Sequence, residues 1–134
     1  MKTLLLSLVP AALLASQPTR IMVAYYSETG NTEKLAQAIR QGAASVSGVE
    51  VTLRRVAEVK SEEIVAADGI VVGTPVHWAN LSAETKRFLD QVGGALWKAK
   101  TTGEGRTAGA FCTGGAPSMG KDLARLSILS AFLI

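Results

Sequence analysis

Residues 27–32 carry the clearest chemical pattern in this sequence. The segment reads Ser27-Glu28-Thr29-Gly30-Asn31-Thr32. It lies between a short apolar run and an amphipathic stretch with helical spacing, which predicts a turn from a buried strand into a helix. The first backbone N–H groups of a helix have no intrahelical acceptor and lie at the positive end of its dipole. We therefore predict a phosphate site that needs no Lys or Arg, with an ordinary structural turn as the alternative.

Two later segments rich in small and polar residues also follow apolar runs. They are Gly73-Thr74-Pro75-Val76-His77-Trp78-Ala79-Asn80-Leu81-Ser82 and Thr113-Gly114-Gly115-Ala116-Pro117-Ser118-Met119-Gly120. The second directly follows a predicted buried strand, and ligands of open α/β sheets collect at such strand ends.

The elements that must position these loops alternate between strands and helices. The predicted strands are Ile21–Tyr26, Val49–Arg54, Gly69–Thr74 and Thr107–Cys112. The predicted helices are Thr32–Ser45, Ser61–Ala67, Ala83–Val92 and about Lys121–Phe132, with Ser61 and Ser82 as N-caps and Gly93-Gly94 ending the third. Polar residues alternate with apolar ones only in the second strand, which places it at a sheet edge. The pattern predicts an α/β fold with a parallel sheet and right-handed crossovers.

The first loop resembles that of the flavodoxin family, whose phosphate loop has a hydroxyl, any residue, Thr, Gly, any residue and Thr after the first strand. The later loops resemble those of the NAD(P)H:quinone oxidoreductases of the tryptophan-repressor-binding-protein type. The resemblance covers roughly residues 20–132. It implies a flavodoxin-like three-layer sandwich, FMN as cofactor, and hydride transfer from NADH or NADPH through the flavin to a quinone or similar acceptor.

The resemblance also implies which residues contact FMN. The segment that begins at Gly73 would lie along the isoalloxazine ring with Trp78 beside the flavin, and the segment that begins at Thr113 would offer backbone N–H groups to the ring's polar edge. The implied cofactor-binding residues are Ser27, Glu28, Thr29, Gly30, Asn31, Thr32, Pro75, Val76, His77, Trp78, Ala79, Asn80, Thr113, Gly114, Gly115 and Gly120.

Three of the reactive or aromatic residues also have plainer interpretations. Trp78 could close the core. His77 is a weak candidate for orienting a quinone or donating a proton, and a solvent-facing loop residue is the alternative. Cys112 ends a buried strand, which favours an inert packed thiol. The flavin would carry the reaction, so no catalytic side chain and no metal is expected.

Other function classes stay open at this stage. A one-electron carrier would dock on partner proteins; the resemblance implies that such a carrier would be acidic, whereas this chain has a net charge of +3,. A non-catalytic fragment is a further alternative. Gly115–Lys121 has the spacing of a nucleotide-binding phosphate loop, although Asp122 stands where Ser or Thr would bind magnesium,.

Composition bounds the remaining possibilities. A chain of 134 residues fits one domain, and its 14 basic residues form no run that would suggest nucleic-acid binding,. Residues 1–19 have the layout of a secretory signal or an apolar extension, and their apolar run from Leu4 to Ala15 is too short for a stable membrane span,. A genuine signal would make the protein exported or periplasmic; otherwise the cytoplasm is expected.

The family's sheet has five strands in the order 2-1-3-4-5, and the sequence supplies four. We therefore expect an incomplete flavodoxin-like domain over residues 20–134, with sheet order 2-1-3-4 and without the fifth strand and last helix. The uncovered apolar surface would be prone to aggregate. Alternatively, the apolar N-terminal segment or a second copy of the chain, as a homo-oligomer, would cover it.

Overall fold

A computed structural model describes residues 17–133, which alternate strands and helices as expected. The strands are β1 (Thr19–Tyr25), β2 (Val49–Arg55), β3 (Gly69–Pro75) and β4 (Thr107–Thr113). The helices are α1 (Asn31–Ala44), α2 (Ser61–Ala66), α3 (Ala83–Lys98) and α4 (Lys121–Ser130), with a 3-10 turn at Val56–Glu58. Each predicted element is present, with most ends displaced by one or two residues.

The four strands form one parallel sheet in the order β2-β1-β3-β4. This confirms the predicted fold class and sheet order. β2 lies at one edge, as its alternating pattern indicated, and β1 and β3 are central. Because all strands are parallel, their carboxyl ends lie at the same edge of the sheet, where the loops that follow β1, β3 and β4 come together.

Side chains alternate across the sheet into two apolar layers. On β1, Met22 and Ala24 face the layer that contains α2, α3 and Ile128 of α4. Val23 and Tyr25 face the layer beneath α1, together with Phe111 of β4. Burial on both faces explains why β1 reads as a continuous apolar run rather than an alternating one.

Helix α3 continues past the predicted stop at Gly93-Gly94 and ends at Lys98. That stop was wrong. Val92 and Ala95 are both buried on the side of α3 that faces the core. Their packing on either side of the two glycines offsets the cost of about 1 kcal/mol for each glycine within a helix.

The two predicted serine caps have different outcomes. Ser82 caps α3 as predicted, because its Oγ accepts a hydrogen bond of 3.2 Å from the Thr85 N–H. Ser61 is instead the first helical residue of α2, and the cap position belongs to Lys60. The Glu63 carboxylate accepts from the Lys60 N–H at 3.0 Å, so the side-chain hydrogen bond at the start of α2 comes from the acidic residue at its third position,.

The signal or extension assigned to residues 1–19 lies mostly outside the described residues. Its last residue, Thr19, begins β1 and pairs with Val49 of β2. Within residues 17–133 every helix is too short or too polar to cross a bilayer.

Candidate functional site

Three loops meet at the carboxyl ends of the strands. Loop 1 (residues 27–32) follows β1, loop 2 (residues 75–82) follows β3, and loop 3 (residues 113–120) follows β4. Loops 2 and 3 are tied by a hydrogen bond of 2.8 Å from the Val76 N–H to the Thr113 carbonyl, which extends the pairing of β3 with β4. The sheet therefore fixes the relative position of the loops.

The backbone of loop 1 leads into α1 and leaves the first N–H groups of the helix without a helical acceptor. Gly30 has the left-handed conformation, with φ of 86°, and is the N-cap of α1. The first hydrogen bond of the helix runs from the Lys34 N–H to the Gly30 carbonyl at 3.0 Å. The amides of residues 31–33 therefore have no acceptor inside the helix, which is the arrangement that binds an anion.

Two hydrogen bonds shape the polar side chains of loop 1. The buried Ser27 Oγ accepts from the Gly30 N–H at 3.1 Å. The Asn31 side-chain amide donates to the Thr29 Oγ1 at 3.2 Å. Thr29 and Asn31 are exposed, so their polar groups are accessible to a ligand, whereas Ser27 holds the turn from behind.

Thr32 joins loop 1 to loop 3. Its hydroxyl lies 2.8 Å from the Thr113 hydroxyl, across 81 residues of sequence. Thr32 is almost fully buried, at 1% exposure. Both residues were predicted to contact the cofactor, and the structure brings them into direct contact with each other.

Loop 2 folds into a tight turn with two residues in an unusual backbone conformation. The His77 N–H donates to the Asn80 carbonyl at 2.8 Å, and the Asn80 N–H donates to the His77 carbonyl at 3.1 Å. The residues between them, Trp78 and Ala79, have φ of 47° and 66°. Residues other than glycine rarely adopt this left-handed backbone conformation, and strain of this kind clusters at functional sites.

The base of loop 2 is fixed by a buried hydroxyl. The Thr74 Oγ1 accepts from the Ser82 N–H at 3.0 Å, and neither residue is exposed to solvent. Asn80 acts within the loop, since its Oδ1 accepts from the Leu81 N–H at 2.8 Å. Thr74 thus closes the base of the loop on which Trp78 is presented, a role that sequence reasoning missed although it had quoted the residue.

The indole of Trp78 is fully exposed, at 101% of its reference area. The alternative that this residue closes the core is therefore wrong. A large apolar side chain held in solvent at the end of a strained turn gains nothing from folding. Its position favours a role in contacting a ligand.

Loop 3 packs against loop 2 through a glycine. Gly120 has φ of 91° and is the N-cap of α4. A Cβ added at Gly120 would lie 2.3 Å from the Cα and carbonyl oxygen of Ala79. Only glycine satisfies both the backbone conformation and this approach, so Gly120 determines how closely the two loops meet.

Two adjoining clefts lie between the loops. The smaller, of about 330 Å³, is lined by Glu28, Thr29, Asn31, Pro75, Val76, His77, Thr113, Gly114 and Gly115. The larger, of about 670 Å³, is lined by Val76, Trp78, Ala79, Gly114, Gly115, Ala116, Met119, Gly120 and Lys121. They share Val76, Gly114 and Gly115. One ligand with a polar tail and an apolar head could therefore occupy both.

Most of the predicted site residues line one of these clefts. Ser27, Gly30, Thr32 and Asn80 line neither and act through the loop hydrogen bonds. Sequence reasoning did not assign Ala116, Met119 or Lys121 to the site. Lys121 was predicted to begin the last helix and was noted as part of a nucleotide-loop spacing; its position directly after Gly120 is the signal that could have placed it here.

His77 lies between loops 1 and 2. Its Nε2 is 3.4 Å from a carboxylate oxygen of Glu28, and its side chain is 37% exposed. The ring also meets Tyr26 edge-on, with ring centroids 6.1 Å apart. Partial desolvation, followed by the nearby carboxylates of Glu84 and Glu28, raises the pKa of Tyr26. The Tyr26 phenol therefore stays neutral at physiological pH. The contacts with Glu28 and Tyr26 leave the His77 ring half-buried rather than fully solvated.

Cys112 lies just before loop 3 and is partly buried. Burial raises the pKa of its thiol, and its Sγ donates to the Lys121 carbonyl at 3.4 Å. Both observations fit the predicted inert thiol. In the described part of the chain no three His, Cys, Asp or Glu side chains cluster as metal ligands.

Comparison with known sequences gives consistent relatives. The family model described as Flavodoxin matches residues 23–107, which include loops 1 and 2. The chain is 39% identical to a flavodoxin of Aquifex aeolicus, over 85% of this chain and 60% of that protein. It is 34% identical to quinone-oxidoreductase QR2 of Triphysaria versicolor, over 84% of this chain and 63% of that protein. The chain thus spans less than two thirds of each of these two relatives.

Comparison with solved structures supports the same fold. An archaeal flavodoxin superposes with a TM-score of 0.69 and 25% identity, covering 84% of this chain and 71% of that one. A WrbA-like flavodoxin protein of Agrobacterium tumefaciens superposes with the same TM-score at 22% identity, with the same coverage of both chains. At that lower identity the likeness concerns the fold alone.

Proposed function

The chain belongs to the flavodoxin family, and from this premise we propose that it binds FMN and supports NAD(P)H-dependent reduction of quinones or similar acceptors. The observation that carries the proposal is the pair of adjoining clefts. The smaller is lined by Thr29 and by Asn31, the first residue of α1, and the larger is lined in part by Trp78. The phosphate of FMN would need hydrogen-bond donors, which the smaller cleft offers, and its ring system would need apolar walls, which the larger cleft offers.

The residues of loop 1 fit a flavin phosphate. Hydrogen bonds to a charged group contribute roughly 1.5–3 kcal/mol each. The amides of residues 31–33 and the exposed hydroxyl of Thr29 supply several donors without a buried cation. Thr32 and Ser27 would keep these donors in place.

The larger cleft fits the isoalloxazine ring. Val76, Gly114 and Gly115 line both clefts and would connect the phosphate to the ring, whereas Ala79 and Gly120 line the larger cleft only. Trp78 would shield one side of the ring from water, and the absence of a side chain at the loop 3 glycines gives the ring access to backbone N–H groups. Lys121 adds a positive charge to the wall of the same cleft.

When bound, FMN supplies the chemistry of accepting hydride from NADH or NADPH and passing electrons to a quinone. The protein's residues bind the phosphate, orient the ring and leave a ring face open to both substrates in turn. Reductase activity is favoured over electron carriage because the larger cleft stays open beside an exposed tryptophan and because a quinone oxidoreductase is among the relatives.

The alternative is a one-electron carrier, which the flavodoxin relative of Aquifex aeolicus favours. Two measurements separate the possibilities. Titration with FMN should quench flavin fluorescence, and the FMN-loaded protein should then oxidise NADPH or NADH continuously with benzoquinone, above a control of free FMN at the same concentration. Binding without turnover by the FMN-loaded protein would support the carrier, and absence of binding would support a non-catalytic fragment.

A nucleotide triphosphate site at Gly115–Lys121 has less support. Asp122, at the position where Ser or Thr would hold magnesium, forms an ion pair with Arg125. Magnesium-ATP should accordingly leave the melting temperature unchanged while FMN raises it. Export directed by residues 1–19 and assembly into a homo-oligomer stay predictions, for which secretion of a tagged chain and light scattering are the respective tests.

A further inference from the structure

Two carboxylates lie close to the amides that would bind the flavin phosphate. Glu28 is part of loop 1, and Glu33 lies in the first turn of α1. A carboxylate in the first turn interacts favourably with the helix dipole. A phosphate at the same helix end would compete for that dipole and would be repelled by the Glu33 carboxylate. A phosphate site built from loop 1 alone therefore lacks a positive charge that offsets Glu33.

Arg55, the last residue of β2, contacts this region in three ways. One guanidinium nitrogen lies 2.5 Å from a carboxylate oxygen of Glu33. The other donates to the Ser27 carbonyl at 3.5 Å. The guanidinium carbon also lies 5.5 Å from the centre of the Tyr25 ring. These contacts hold the Arg55 side chain against loop 1, the start of α1 and the end of β1.

The ion pair is partly shielded from solvent. The Arg55 side chain is 45% exposed and the Glu33 side chain 29% exposed. Charges in such positions are screened less than those of a fully exposed pair. The charge on Arg55 therefore offsets that of Glu33 at the helix end, while its bond to the Ser27 carbonyl braces the residue whose hydroxyl accepts from the Gly30 N–H.

We propose that Arg55 is a specificity-determining residue that makes loop 1 favour a phosphorylated flavin over riboflavin, by neutralising Glu33 and bracing Ser27. The inference rests on the proposed FMN site. It concerns binding selectivity and requires no reaction step. Sequence reasoning predicted a phosphate site that needs no Lys or Arg, whereas the fold brings an arginine to it from the neighbouring strand.

The test is a fluorescence titration of the whole chain and its variants with FMN and, separately, with riboflavin. Arg55→Met should weaken FMN binding about tenfold. This loss lies between the interaction energy of two unit charges in bulk water and that of two unit charges near a protein surface. Riboflavin binding should change less than twofold, because riboflavin has no phosphate. Arg55→Lys, which keeps the charge, should retain most of the FMN affinity.

Arg54→Met is a matched control. Arg54 is the adjacent residue on β2 and also forms an ion pair, with its Nε 3.0 Å from a Glu63 carboxylate oxygen. Its side chain is 43% exposed, close to the value for Arg55. Because Arg54 pairs with α2 rather than with loop 1, its replacement should leave the affinity for both flavins unchanged.

A second variant tests the electrostatic cause. Adding Glu33→Gln to Arg55→Met removes the repelling carboxylate and should recover most of the lost FMN affinity. An equal loss of FMN and riboflavin in Arg55→Met would show a structural effect and overturn this inference alone, as would unchanged FMN affinity. Failure of the unsubstituted chain to bind either flavin would instead overturn the proposed function and this inference with it.

Discussion

Loop 1 and the paired loops 2 and 3 are built on different physical principles. In loop 1 one glycine adopts the left-handed conformation, and side-chain hydrogen bonds define the rest of the loop. In loops 2 and 3 three non-glycine residues have positive φ, namely Trp78, Ala79 and Met119. These two loops meet through a close backbone contact at Gly120.

The difference follows from what each region must bind. An anion is held by directional donors, so loop 1 needs well-placed N–H and hydroxyl groups and little strain. A flat apolar ring is held between walls at the right distance from each other. Loops 2 and 3 therefore depend on their backbone shape, which includes residues in strained conformations,. The phosphate end should accordingly respond to lost hydrogen bonds, and the ring end to changes in backbone conformation or volume.

Gly120→Ala should have the largest effect on stability. The new Cβ combines an unfavourable φ with a clash against the Ala79 backbone, so we expect a loss of about 3 kcal/mol in the free energy of unfolding. Gly30→Ala is the matched control, because Gly30 has φ of 86° but no atom within 4 Å of the added Cβ. It should cost about 1 kcal/mol. Equal losses in urea unfolding would contradict the difference drawn between the loops.

Removal of both loop 1 threonine hydroxyls should have the next largest effect. Thr29→Ala with Thr32→Ala should weaken FMN binding by about 2–3 kcal/mol in total. Isothermal titration measures this change directly. Unaltered FMN affinity would refute the placement of the phosphate at loop 1.

The bond between Thr32 and Thr113 also permits a control for folding. Thr32→Val should lower stability by about 1 kcal/mol, because the Thr113 hydroxyl loses its partner. Thr32→Val with Thr113→Val removes both hydroxyls and should recover much of that stability without restoring FMN affinity. Recovery of both properties together would mean that Thr32 acts only on the fold.

Trp78→Gly should produce opposite changes in stability and binding. Its φ of 47° is strained for tryptophan but not for glycine, and the exposed indole contributes no burial. Relief of strain should therefore raise the free energy of unfolding by about 0.5–1 kcal/mol, partly offset by the greater freedom of glycine in the unfolded chain. FMN affinity should fall severalfold. A fall in both quantities would show that Trp78 supports the fold.

Cys112 should give the smallest effect, measured as the alkylation rate of its thiol and as a slight pH dependence of stability. The alkylation rate tests how well the residues around Cys112 shield the thiol. Because burial raises the pKa of this thiol, its alkylation by iodoacetamide at pH 8 should be slower than that of a free cysteine,. The unfolded chain releases the thiol proton first as pH rises through the ordinary cysteine range, so stability should decline slightly there. Cys112→Ser should remove that decline. Alkylation at the free-cysteine rate would indicate that loop 3 opens readily.

Local patterns were sufficient for the elements and for the presence of the loops. The apolar runs predicted β1, β3 and β4, and the hydroxyl-rich turn predicted loop 1. The low helix propensity of glycine predicted the end of α3 at Gly93-Gly94, but the local pattern does not show that Ala95 is buried in the core,. Tertiary packing overrides a local stop signal when the residues beyond it still reach the core.

By itself, the sequence determined which segments are strands and helices and where an anion could bind, because burial periodicity and turn chemistry are properties of neighbouring residues. Only the tertiary structure decided that Thr32 meets Thr113, that Gly120 packs on Ala79 and that Arg55 reaches loop 1. These contacts join residues far apart in the chain. They depend on the strand order β2-β1-β3-β4, which places β2 beside β1 and β4 beside β3 and so sets the partners of each loop.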